Sequence, residues 1–128
     1  MIIKKFVVGS MFSMLLGSEM AAADWGDVYY CQMTNLLEIS IEGKQTNYKL
    51  EKFQFKLDQT KNAMVFGSTG MFKNEVIELT KGTSFPRQEI LRANTLDSKT
   101  YFRVGKFLYT SIHGKAGITS VSADCDKF

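Results

Sequence analysis

Apolar and polar residues alternate in short runs along most of the chain. Leu37, Ile39 and Ile41 alternate with Glu38, Ser40 and Glu42, and Phe53, Phe55 and Leu57 alternate with Gln54 and Lys56. A period of two puts one set on each face of a half-buried strand. Residues 28–30 open with β-branched and aromatic side chains, the types that pleated surfaces favour. Residues 64–66 follow the polar stretch 58–62 as the return strand of a hairpin, and Ile77 and Leu79 alternate with Glu78 and Thr80. Ile90-Leu91 and residues 100–104, 107–112 and 118–123 complete about eight segments roughly ten residues apart, the spacing of an antiparallel barrel or sandwich.

Turn residues punctuate these runs. Gly43-Lys44, residues 67–70, Asp97-Ser98 and residues 114–117 read as turns, and residues 81–86 form a loop holding the only proline. Gly105-Lys106 has glycine in the first of two turn positions, which suits a type II′ hairpin. Past Ala23 there is no 3.6-residue apolar period of helix length, although single helical turns near Thr34 or Ser84 fit the pattern. The expected fold is all-β: a small antiparallel β-barrel or sandwich of about eight strands. Phe53, Phe55, Phe66, Tyr101, Phe102, Phe107 and Tyr109 lie on those strands. They form either a core or an aromatic pocket for a small apolar ligand or a sugar.

The first segment has a different pattern. Lys4 and Lys5 precede an apolar run to Leu16, and Ala21, Ala22 and Ala23 follow as small residues of the A-x-A kind. That order is a secretory signal, and the run is shorter than the roughly 20 residues a membrane-spanning helix needs. Residues 1–23 are therefore expected to be a signal peptide and residues 24–128 a single β domain. The mature chain has no span and no cysteine at the cleavage point to take a lipid. Its expected location is periplasmic or secreted.

Export changes how the two cysteines are read. In an oxidising compartment Cys31 and Cys125 are expected to pair, closing a loop across almost the whole mature chain. The net charge is +3 at pH 7, one unit less once Lys4, Lys5 and Glu19 leave with the signal. That is too weak for nucleic-acid binding, and the signs are interleaved.

Chemistry is sparse. His113, the only histidine, sits beside a glycine turn, and no G-x-S-x-G elbow is present. An enzyme would need a cleft that brings His113 to a hydroxyl or carboxylate. One histidine and a bridged cysteine pair do not supply a zinc site. Asp124 and Asp126 flank Cys125 without a calcium loop around them. Gly67, Gly70 and Lys73 lack the ending of a phosphate loop. No catalytic, metal or cofactor residue is assigned, and the chain is expected not to be an enzyme.

Two short stretches carry a resemblance. Residues 67–72, Gly-Ser-Thr-Gly-Met-Phe, and residues 80–82, Thr-Lys-Gly, together with the Tyr-x-Cys start and late cysteine, resemble the periplasmic inhibitors of c-type lysozyme. Phe72 stands where that family has tyrosine. The resemblance implies a small antiparallel barrel with a terminal bridge. It also implies that Ser68 and Lys81 enter the lysozyme cleft and engage its catalytic carboxylates, for which a hydroxyl and an ammonium are suitable donors. Residues 102–107, Tyr109, Gly117 and the close Ala-Asp-Cys-Asp-Lys-Phe look similar to small uncharacterised exported proteins of marine bacteria and their phages, which implies export and a β fold.

The leading expectation is an exported, non-enzymatic β-barrel that binds an unidentified partner, a small apolar ligand or an envelope protein, in its mouth or against exposed loops. Two alternatives stand beside it. One is an inhibitor of a cell-wall hydrolase acting through Ser68 and Lys81. The other is a structural envelope subunit, which would expose a strand edge or an apolar patch.

Overall fold

In a computed structural model, residues 23–80, 90–114 and 117–128 are described. The expected signal peptide and Lys81 lie outside these residues, as does Ser84. The described chain is all-β: β1 Val28–Ile39, β2 Gln45–Asn47, β3 Lys52–Asp58, β4 Ala63–Phe66, β5 Val76–Glu78, β6 Ile90–Asn94, β7 Ser98–Arg103, β8 Lys106–Ile112 and β9 Ile118–Lys127. The spatial order is β5-β4-β3-β1-β9-β8-β7-β6, with the short β2 also on β1. Every pairing is antiparallel.

The result is a nearly closed eight-stranded up-and-down barrel rather than a sandwich. First and last strands pair side by side, and one bridge, Leu79 to Ala93, joins the outermost strands β5 and β6. The Thr80 amide donates to the Arg92 carbonyl at 2.8 Å beside that bridge. Closure leaves few unpaired strand edges. Four connections gather at one end, which is called the mouth: residues 40–44, 67–75, 95–97 and, between β8 and β9, the described residues His113, Gly114 and Gly117.

On β3 the inward positions carry the alternation read from the sequence, whereas on β1 Leu36 is buried and Leu37 and Ile39 lie on the outer face, the reverse of the alternation read there. Phe53, Phe55 and Leu57 of β3 are buried, with Gln54 and Lys56 exposed between them. The rings fill the lower barrel: Phe53 packs against Phe107 at 4.9 Å and Phe55 against Phe102 at 5.3 Å. Ala23, at the expected cleavage point, is also buried. Cys31 and Cys125 face each other across β1 and β9 and are bridged, with their Cα atoms 4.0 Å apart.

Three local expectations are corrected. Residues 28–30 and 37–39 belong to one 12-residue strand, and Ile41 falls in the turn after it. Thr34 is no helical turn. It sits in β1 where the register with β9 shifts, because Ser122 faces Asn35 while Ala123 faces Met33. The extra residue makes a β-bulge. The β7–β8 turn is Val104-Gly105, since Arg103 pairs with Lys106. Both turn residues have positive φ, 47° and 76°, the signature of a type I′ rather than a II′ turn.

Candidate functional site

The upper barrel changes character. Ser98 of β7 faces Ser111 of β8, which faces Thr119 of β9. All three hydroxyls point inward and are nearly covered, at 9%, 7% and 8% exposure. Along a strand, inward residues recur every second position, so one polar position per strand, in register, makes a cross-strand row.

His113 caps the row. Its Nε2 lies 3.1 Å from Ser111 Oγ and 2.6 Å from Thr119 Oγ1. Thr95 and Ser98 hydroxyls meet at 2.7 Å on the other side. The turn that carries His113 is held by its amide donating to the Gly117 carbonyl at 2.7 Å. Gly117 has φ of 108°, and a Cβ there would collide with the Ile39 carbonyl, so only glycine fits.

Of these groups Thr95, Ser98, Ser111 and His113 line a mouth cavity of about 240 Å³, with Thr119 behind His113. Phe72 and Tyr109, edge to face at 4.9 Å, form its floor, and Glu75 and Asp97 bring carboxylates to its rim. Phe72 reaches the interior from the 67–75 loop, where Asn74 donates to the Gly67 carbonyl at 2.8 Å. One step below the row, Thr100 is 1% exposed, and its hydroxyl has no partner among the described residues.

An enzyme required His113 beside a hydroxyl, and Ser111 and Thr119 both meet that condition. Among the described residues no hydrogen bond reaches Nδ1 to orient the ring, and Nε2 is shared between two hydroxyls. A nucleophile activated by a histidine needs an oriented base.

Ser68 is exposed in the 67–75 loop at the mouth. β5 then runs away from that loop to Thr80, the last described residue before Lys81. Ser98, Ser111 and Thr119 were missed in the sequence, because a hydroxyl on one strand carries no sign that pairing sets it level with two others.

A second concavity, of about 470 Å³, lies outside the barrel across β1, β9, β8 and β7. Leu37, Tyr101 and Leu108 wall it over a floor of Thr110, Ser120 and Ser122. Tyr101 was expected in the core; it is 40% exposed here, because its neighbours Thr100 and Phe102 take the inward positions.

Comparison with protein-family models, with curated proteins and with solved structures finds no match to the chain.

Proposed function

We propose that this chain is an exported, non-enzymatic β-barrel that binds a small polar ligand of sugar-ring size in its mouth. The observation that carries the reading is the inward pair Ser98 and Ser111, lining the cavity with His113 above the Phe72–Tyr109 floor, His113 being held by Thr119. Hydroxyls and an imidazole offer donors and acceptors at fixed positions, and the carboxylates of Glu75 and Asp97 add acceptors. Aromatic edges below suit the apolar side of a ring. A volume of about 240 Å³ is under the ~300–1,000 Å³ of pockets for drug-sized ligands, so one ring fits better than a long chain. Export is supported by the Lys4-Lys5, apolar and Ala21–Ala23 order and by the Cys31–Cys125 bridge.

Titration calorimetry of the bridged protein with neutral monosaccharides tests this. The expected result is saturable binding that Ser111→Val weakens about tenfold, the value of one lost hydrogen bond, with an unchanged near-ultraviolet circular dichroism spectrum. Absence of heat with every sugar, or equal affinity in the variant, contradicts the reading.

A second reading is favoured by the closed barrel with its terminal bridge and by the exposure of Ser68. It is inhibition of c-type lysozyme through Ser68 and Lys81. Lys81→Ala is then expected to abolish inhibition without lowering the unfolding midpoint. A wild-type protein that leaves lysozyme active removes this reading.

A further inference from the structure

The outer face of β6, β7 and β8 carries a charge pattern that the mouth does not explain. These three strands contain Arg92, Lys99, Arg103 and Lys106 and no carboxylate. All four cations are exposed. The Arg92 guanidinium lies 5.2 Å from the Tyr101 ring centre, and Arg92 Nε donates to the Tyr101 hydroxyl at 3.1 Å. Lys106 is paired with Asp124 at 2.7 Å, at the border with β9.

Apolar groups stand among these cations. Tyr101, Leu108 and Val104 are 40%, 53% and 48% exposed. Tyr101 and Leu108 belong both to the exterior groove and to a second concavity walled by Arg103, Val104 and Lys106, so one apolar strip runs down to the β7–β8 turn.

The turn is the second observation. Val104 holds φ of 47° at the exposed apex. A β-branched residue is disfavoured in the left-handed region, where Asn, Asp or Gly relieves the strain. Val104 keeps an apolar side chain, half exposed, at this strained apex between Arg103 and Lys106. Such outliers point to function.

We infer that this face docks on an anionic lipid bilayer. Val104, Tyr101 and Leu108 enter the interface, and Arg92, Lys99 and Arg103 meet the acidic headgroups. Charge complementarity selects the partner. Three exposed cations on strands without a carboxylate match acidic headgroups, and cations beside exposed apolar and aromatic groups are the composition of interfacial binding. The strip is open along its length, so a single dissolved amphiphile would stay half in water, while a bilayer covers the whole strip. Docking by this face is independent of what the mouth binds.

The test is flotation with phosphatidylcholine vesicles, with and without phosphatidylglycerol. The barrel closes within residues 28–127 and its ends are bridged, so residues 23–128 are the unit tested, without the apolar leader. The expected result is flotation only with phosphatidylglycerol, reversed by high salt. The double variant Lys99→Gln, Arg103→Gln is expected to lower the partition coefficient about 30-fold, at a factor of about five per cation. Val104→Asn relieves the turn and is expected to weaken flotation while the unfolding midpoint holds or rises, which separates docking from misfolding. No flotation with phosphatidylglycerol, equal flotation on neutral vesicles, or variants that float like the wild type would each overturn the inference. A face used by a protein partner instead gives the first of these.

Discussion

Thr100 and Tyr29 sit in surroundings that bear on stability. The Thr100 hydroxyl is buried without a partner among the described residues, and an unpaired buried hydroxyl costs about 1–3 kcal/mol. Thr100→Val keeps the shape and removes the polar atom, so it is expected to stabilise the barrel by about 1 kcal/mol in urea unfolding. Burial, then the charge of Asp27, then the hydrogen bond that its phenol donates to Asp27 Oδ2 at 3.4 Å raise the Tyr29 pKa above the usual 10.0. The fold therefore favours the neutral phenol. Its contribution is whole below pH 10 and is lost as pH rises beyond it, because the unfolded tyrosine ionises first. Unfolding free energy measured along an alkaline series should fall above that point, and Tyr29→Phe should flatten the slope. Part of this scale was legible in the sequence. Phe53, Phe55 and Leu57 declared their inward face by alternation. Tyr101 did not, since adjacent aromatics at 101 and 102 compete for one inward position, and only the register decides which enters.

At the scale of elements, the β7–β8 hairpin shows how a turn departs from its sequence signal. Gly105 suggested the first position of a II′ turn, yet the Arg103–Lys106 pairing makes it the second residue of a I′ turn. The Cys125 amide donates to the Gly105 carbonyl at 2.7 Å, a long-range contact that local chemistry does not announce. Val104 then inherits a positive φ. Val104→Asn is expected to raise stability by about 1 kcal/mol, read as a higher thermal midpoint. β1 was read as two strands for a similar reason. Its middle, Gln32 to Asn35, is polar on the outer face and carries the Thr34 bulge, where Asn35 Nδ2 donates to Ser122 Oγ at 2.9 Å. The bulge interrupts the alternation that would have joined the halves. The mouth row was illegible for the same reason of register. Ser98, Ser111 and Thr119 are ordinary strand residues until pairing lines them up.

At the scale of the molecule, one covalent link and one weak seam set the stability. The bridge joins residues 94 apart and ties β1 to β9. In the chain-entropy view such a closure contributes roughly 4 kcal/mol. Reduction is therefore expected to lower the denaturation midpoint markedly, and a midpoint that survives full reduction would show that strand pairing alone holds the ends. On the far side, β5 and β6 share a single bridge. Among amides bonded between strands, that of Thr80, which donates to the Arg92 carbonyl across this seam, is expected to exchange fastest. The barrel thus separates its chemistry in space. Aromatic rings fill the lower interior, hydroxyls line the mouth, and cations and apolar groups share the β6–β8 face.

Mouth binding is the central claim, and native mass spectrometry of the bridged protein tests it most directly. Wild type and Ser111→Val are incubated in parallel with an extract of small polar metabolites. The account predicts a discrete adduct of one sugar-sized mass on the wild type, absent or much reduced on the variant. A bare wild type, or an adduct retained equally by both, would contradict it.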